Sequence, residues 1–367
     1  MMQNKQILHP SKGMSRRDII LTCAAVLILI VILANAENWF GSYVVRILNT
    51  CCIYAIATLA MNLVNGCTGV FTLGNPGFMC VGAYTCALLY LQPAVKDTLY
   101  YVEPIVPWLR DIHTNYFIAL ICGGIMAALA AVFIGVPVLR LKGDYLSIAT
   151  LGFSEIARIV MLNAQSVTNG AIGLTQIPNV VNIWVAFGAL AVVFIFLRLL
   201  MNSSYGRAFL AIREDEIAAE AMGIHLFKHK MLSFVLSAFI AGISGGLLAS
   251  LIGAIDANQF KYTFVYQFLL MMVLGGQGSM SGSVIGAFIV TSALEWLRFM
   301  DEPINLGFIQ YPGFAGMRMV LFSVLLILIV LFWGKGIMGD KEFSWERLIT
   351  GLKRLGKRRS QEKEEVS

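Results

Sequence analysis

The sequence predicts an all-α polytopic membrane protein of about ten transmembrane or re-entrant helices. Of its 367 residues, 58% are hydrophobic and 13% charged, whereas a soluble globular domain carries roughly 25% charged residues. Its apolar runs repeatedly approach the ~20 residues that cross a hydrocarbon core. Lys and Arg concentrate in alternate segments between those runs, the bias that sets orientation in a bilayer. The net charge of +6 has its source in the two ends of the chain, so it does not point to nucleic acid.

The first run follows basic "KGMSRR" and extends from Ile19 to Leu33 before Ala34-Asn35-Ala36. This pattern fits a first transmembrane helix and also a cleavable signal peptide; both leave Glu37 outside. Further spans are expected at 43–65, 77–92, 115–138, 145–162, 183–201, 231–252, 263–275, 282–298 and 317–334, after a first at 19–36. The third and eighth are short for simple spans. With the N-terminus inside, alternation puts twenty Lys and Arg inside and six outside, with Arg158 left within a span. Without the tails the ratio is seven to six, so the internal loops contribute little to the orientation. Both termini are then cytoplasmic. The implied organisation is a cytoplasmic N-tail (1–18), a transmembrane domain (19–338) and a basic cytoplasmic C-tail (339–367), whose "LKRLGKRRSQEK" reads as a solvated or lipid-attracted end.

Two glycine-rich stretches interrupt the apolar pattern. "NGCTGVFTLGNPGF" (65–78) combines four glycines, a proline and two asparagines. A lipid-facing helix broken there would leave backbone groups unsatisfied, so the segment must be buried or line a polar path. Gly74, Asn75, Pro76 and Gly77 are therefore pathway candidates, with close helix packing as the alternative. "LGGQGSMSGSVIGAF" (274–288) is a second break, adding Gly275 and Gly276; Gly282 and Gly286 read as packing positions. Glu155 and Arg158, i and i+3 in the fifth span, are expected to pair. They read as a gate pair or as a structural ion pair near the outer interface.

Between the sixth and seventh spans lies the longest inner segment, 202–230. Asn202, Ser203 and Ser204 are N-cap candidates and Gly223 a C-terminal stop. Leu210, Ala211, Ile217, Ala218, Ala221 and Met222 suggest one helix with a mainly apolar face. Arg213, Glu216 and Glu220 lie on another, with a possible Arg213–Glu216 pair. The segment is either a solvated linker or an amphipathic helix that docks a partner. The chain contains no G-x-x-x-x-G-K-[ST] phosphate loop, so any ATP-driven work would need another polypeptide.

The seven cysteines lie in apolar surroundings without CxxC spacing, and the four histidines lie in a tail or loops. They predict neither a disulfide framework nor a metal site. Absence of a nucleophile–base–orienter pattern argues against a membrane enzyme.

"SSYGRAFLAIREDEIAAEAMGI" (203–224) resembles the coupling segment of branched-chain amino-acid ATP-binding cassette (ABC) transporter permeases of the LivM type. The resemblance runs from about residue 45 to 339. It includes "NLVNGCTGVFTLGNPGFMCVGAYTCALL", "VLRLKGDYLSIATLGFSEIARIV", "NGAIGLTQIP", "VLGGQGSMSGSVIGAFIV" and the closing "GIMGD". It implies an ABC importer permease fold with broken Gly-rich helices in the bacterial inner (plasma) membrane. It also implies coupling to ATPase subunits through Gly206, Arg207, Arg213, Glu214, Glu216, Ala219, Glu220 and Gly223. No cofactor is expected in this chain; ATP and Mg would be held by two partner ATPases. A second related permease, an extracytoplasmic substrate-binding protein and membrane lipid are the other implied partners. Urea or short-chain amides are alternative cargoes within the resemblance. A self-sufficient secondary transporter is a separate alternative, weakened because only Glu155 and Arg158 are charged at membrane depth. Asn258 in "GAIDANQF" stands where the family pattern leads one to expect proline.

Overall fold

The computed structural model describes Leu33, residues 35–141 and 143–297, isolated positions between 304 and 331, and residues 336–339. The expected first and tenth spans and both tails thus lie outside the described residues, apart from isolated positions. Residues Arg46–Glu342 form one compact unit, distinct from Met1–Val45 with Phe343–Ser367.

The described residues are overwhelmingly helical. α1 (Ala36–Asn62) carries a non-helical Gly41 and continues into a π-helical turn, Leu63–Thr68. After an irregular stretch come α2 (Asn75–Tyr90), α3 (Pro93–Leu99) and α4 (Pro107–Arg110), each opened by a proline in its first turn, where the missing N–H is no loss. α5 (Tyr116–Val138), α6 (Asp144–Asn163), the short α7 (Gln165–Thr168) and α8 (Ile183–Asn202) follow. α9 (Ser204–Glu214) and α10 (Glu216–Ala221) precede the long α11 (Leu226–Ile252). α12 (Thr263–Gly275) and α13 (Met280–Trp296) form a helical hairpin. Ile304–Asn305 and Gln310–Tyr311 make a minimal antiparallel pair.

Five helical segments are long and apolar enough to cross a membrane: Gly41–Thr68, α5, α6, α8 and α11. A sixth arises if α2 and α3, bent by 117°, count as one broken span. α12 and α13 match two further apolar runs but are shorter. Gly41–Thr68 and α11 are central, with 78% and 72% of their apolar windows buried, against 33%, 28% and 28% for α5, α6 and α8. The outer faces of these three carry exposed Ile, Leu, Val and Phe, including Phe133, Ile148 and Val192. Such faces suit lipid or a neighbouring membrane subunit.

Small residues explain the tight centre. A Cβ on Gly82 of α2 would collide with the Gly242 backbone of α11, and one on Gly245 with the Met79 carbonyl. A Cβ on Gly123 of α5 would stand 2.7 Å from the Gly82 carbonyl. α2, α5 and α11 thus meet backbone to backbone, the mode of membrane helix packing in which glycine leaves room for close approach. The α12–α13 hairpin closes in the same way, with Gly275 against Gly282 and Gly286 against Met271.

Connections of alternate parity gather at opposite ends. At one end Val106 N–H bonds Ser166 O (3.2 Å), the Tyr100 hydroxyl bonds Val167 O, and Leu174 pairs with Ile255. Here Lys96 is fully buried, and its ammonium donates to Leu109 O (2.9 Å) and Ile112 O (2.7 Å). Burial pushes its pKa down. Nearby, exposed Arg110 makes two hydrogen bonds to Asp97 and holds that carboxyl below its usual range. At the other end lie residues 69–74, α9 and the 276–279 turn. Residues 337 and 338 cap α12 there, Ile337 N–H to Leu274 O (2.8 Å) and Met338 N–H to Gly275 O (3.1 Å).

Candidate functional site

The charged segment is two helices, where the spacing suggested one. Ser203 caps α9 through Gly206 N–H (3.5 Å). Asp215 then adopts extended geometry (φ −159°, ψ 111°), and its Oδ1 accepts from Ile217 N–H (2.9 Å) and Ala218 N–H (3.0 Å). An aspartate that caps the next turn competes with continuation of the previous helix. α10 ends in a paired cap: Ile224 N–H bonds Ala219 O (3.1 Å) and Gly223 N–H bonds Glu220 O (2.9 Å), with Gly223 at φ +84°. This is the Schellman arrangement, in which glycine takes the left-handed position.

The break at Asp215 resets the helical register and corrects the expected apolar face. Gly206, Ala208, Phe209, Ile212 and Ala219 are buried. Ile217 and Met222 are 82% and 84% exposed, and Glu214, Ala218, Glu220 and Ala221 surround them on exposed positions. Arg207 is also exposed and bonds Ser204 Oγ (3.0 Å). Glu216 pairs with Lys230 of α11 at 2.7 Å in place of the expected Arg213–Glu216 pair. Arg213 instead packs on the glycine-rich breaks: a Cβ on Gly69 would lie 3.1 Å from its Cα, and one on Gly278 would collide with its guanidinium.

The first break is ordered by side chains that stand in for lost backbone partners. Gly69 (φ +76°) closes the π-turn onto Val64 O. Asn65 Oδ1 accepts from Thr72 N–H and hydroxyl (both 3.0 Å), while its Nδ2 donates to Thr72 O (3.0 Å). Leu73 N–H donates to Thr150 Oγ1, and Ser147 Oγ to Phe71 O, each at 3.0 Å. Buried Gly74, Asn75, Pro76 and Gly77 form the N-terminus of α2 and pack against α6. A Cβ on Gly77 would stand 2.8 Å from Ser154 Cα, and one on Gly74 would stand 3.3 Å from Thr150 O. Asn75 Nδ2 donates to Ala57 O (3.1 Å). Asn75 Oδ1, Ser154 Oγ and Tyr84 OH are buried polar atoms without a hydrogen-bond partner among the described residues.

Glu155 and Arg158 do pair, at 2.8 Å, with side chains 24% and 15% exposed. Glu155 also accepts from Tyr262 N–H (2.8 Å), and Arg158 reaches Asn258 Oδ1 (3.5 Å). The pair thereby ties α6 to the 257–262 turn at the end opposite α9. Gly275 packs on Gly282, and Gly276 (φ +118°) stands against Gly339. The pathway candidates therefore fall in three places: the α2–α6 contact, the Glu155 clamp and the end of α12. Asn62, which the sequence reading passed over, is fully buried and joins the two breaks through Gly278 N–H (2.9 Å) and Ser279 O (3.0 Å). Its one sequence signal was an amide inside the apolar run "TLAMNLV".

The sequence pattern of one family, described as branched-chain amino acid transport system / permease component, matches residues 43–331. The chain is 32% identical over 313 residues to the high-affinity branched-chain amino acid transport system permease protein LivM of Escherichia coli, covering 75% of this chain and 69% of that protein. It is 24% identical to the probable branched-chain amino acid transport permease protein LivM of Methanocaldococcus jannaschii, covering 83% and 92%. A second, more distant kind of relative is the permease protein LivH of Escherichia coli, 30% identical over 203 residues, 54% of this chain and 60% of that protein. No solved structure matches the chain.

Proposed function

Since the chain belongs to the branched-chain amino acid transport permease family, we propose that it is the LivM-type subunit of an ATP-driven importer for branched-chain amino acids. A LivH-like second permease, two ABC ATPases and an extracytoplasmic binding protein complete the assembly. The membrane is the bacterial inner membrane, with both termini and the α9–α10 segment cytoplasmic. Ten transmembrane or re-entrant helices, with broken Gly-rich segments, make up the permease fold.

The observation that carries this reading is the pairing of an exposed docking tip with a rigid base. Ile217 and Met222 stand out from α10 among acidic residues, while the Glu216–Lys230 bridge ties that helix to α11. Large apolar side chains ringed by charge favour a protein partner over water. The chain lacks a phosphate loop of its own, so the partner that fits is the ATPase. Nucleotide binding and hydrolysis with Mg there would move α10, and α9 would pass the motion to the glycine-rich breaks, giving alternating access. The test is reconstitution of the assembled complex in vesicles with its binding protein. Uptake of leucine, isoleucine or valine that requires internal ATP supports the proposal. Uptake of urea or short amides alone would reassign the cargo, and ion-driven uptake by the isolated chain would reject the ATP-driven assignment.

A further inference from the structure

Asn62, Gly66, Gly278 and Arg213 meet at one point, although they come from three separated parts of the sequence. Asn62 is the last residue of α1 and fully buried. Its side-chain amide imitates a peptide group: Oδ1 accepts from Gly278 N–H at 2.9 Å and Nδ2 donates to Ser279 O at 3.0 Å. Ser279 in turn caps α13 through Gly282 N–H (3.0 Å), so the same turn fixes where that helix starts. The π-turn that follows Asn62 wraps back over the contact. A Cβ on Gly66 would collide with Asn62 Oδ1 and lie 2.6 Å from Gly278 N. Cys67 Sγ stands 3.9 Å from Gly278 O. On the exposed side, Arg213 of α9 packs its backbone and side chain on Gly69 and its guanidinium on Gly278.

We infer that Asn62 is a positioning residue for energy coupling: it latches the two glycine-rich breaks together so that Arg213 moves both as one body. The inference rests on the proposed ATP-driven reading and adds the internal transmission that this reading needs. A buried amide whose donor and acceptor are both paired holds a defined geometry, because release strands the Asn62 amide and the Gly278 N–H, although Ser279 O keeps Ser283 N–H (3.1 Å) and Oγ (3.0 Å). A push on α9 therefore reaches the start of α2 and the start of α13 together. Without the latch, the same push would move the first break past the second.

Two variants test the latch. Asn62→Leu keeps the branching and heavy-atom count of the side chain and removes both hydrogen bonds. Arg213→Lys keeps the charge but loses the planar head that covers Gly278. In the assembled complex, each should lower the stimulation of ATP hydrolysis by substrate-loaded binding protein by about tenfold per complex, within the usual range of coupling between sites. The double variant should be no worse than the worse single one, since both act through one contact. Normal stimulation in Arg213→Lys, or losses that multiply in the double variant, would overturn the inference. So would a fall only in the amount of complex with Asn62→Leu.

A second measurement needs no ATPase. In a chain whose one remaining cysteine is Cys67, alkylation of that buried thiol should be about tenfold faster in either variant, as expected for local opening. Unchanged alkylation would reject the latch itself. A wild-type complex with no stimulation, together with faster alkylation in the variants, would instead fault the ATP-driven reading and leave the latch standing.

Discussion

Glu155 and Tyr262 are joined across two separate stretches of chain by a 2.8 Å hydrogen bond from the Tyr262 backbone to the Glu155 carboxylate. The other carboxylate oxygen holds Arg158. Glu155 is thus engaged on both sides, and its structural role is to anchor the turn after α11.

This engagement separates two substitutions. Glu155→Gln can still accept from Tyr262 and should cost about 1 kcal/mol, whereas Glu155→Ala loses both contacts and strands a half-buried Arg158, costing about 2–3 kcal/mol. Thermal unfolding of the purified protein measures the difference. If the pair acts only as an anchor, uptake per folded molecule stays at the wild-type level in Glu155→Gln; a collapse of uptake without loss of stability would make it a gate.

Gly223 has open space where a Cβ would project, so its requirement is conformational. Gly223→Val forces a β-branched residue into φ +84° at a cost of about 1–2 kcal/mol, and it should unravel the end of α10. Gly223→Asn, which tolerates that region, should keep the cap. Membrane insertion should be normal in both, while substrate-stimulated ATP hydrolysis of the complex is lost in the valine variant alone. Glu220→Lys, which reverses a charge beside Met222 without touching the cap, should also lose stimulation.

Glycines in the helix contacts differ sharply in tolerance. Gly245→Ala drives a methyl into the Met79 backbone and should cost about 1–3 kcal/mol through forced separation of α2 and α11. Gly188→Ala meets nothing within 4 Å and should stabilise α8 by roughly 0.5–1 kcal/mol. Parallel melting curves of the two variants give the comparison; equal melting temperatures would mean that α2 and α11 can part without penalty.

Ser154 presents a buried hydroxyl with no described partner, against Gly77. Ser154→Ala should leave stability unchanged or raise it by about 1 kcal/mol, because a desolvated polar group is removed. If this hydroxyl serves the transported substrate, uptake falls by roughly tenfold in a protein that is no less stable. Unchanged uptake would assign Ser154 to packing.

The apolar runs revealed most of the architecture because membrane helices are written in hydropathy. α12 begins and ends where the run 263–275 does, and the Glu155–Arg158 spacing foretold its ion pair. Features set by tertiary geometry were harder to read. Glu214-Asp215-Glu216 has the look of continuous helix, yet the Asp215 carboxylate closes on Ile217 and Ala218 N–H and starts a new one. That shift leaves Ile217 exposed and apart from the half-buried Leu210 and Ala211, with which periodicity taken through the break grouped it. Asn62 was illegible for another reason: its partners, Gly278 and Ser279, lie in a distant stretch, and no local pattern announces such a pairing.

The cap on α12 has a consequence for biosynthesis. The carbonyls of Leu274 and Gly275 receive their partners from Ile337 and Met338, which a ribosome delivers long after the hairpin itself. During synthesis the α12–α13 hairpin must enter the bilayer with that end open and wait for the closing turn. A nascent chain arrested before Gly336 should therefore be inserted but be more readily degraded by membrane proteases than one arrested beyond Gly339, making the order of translation part of how this turn is secured.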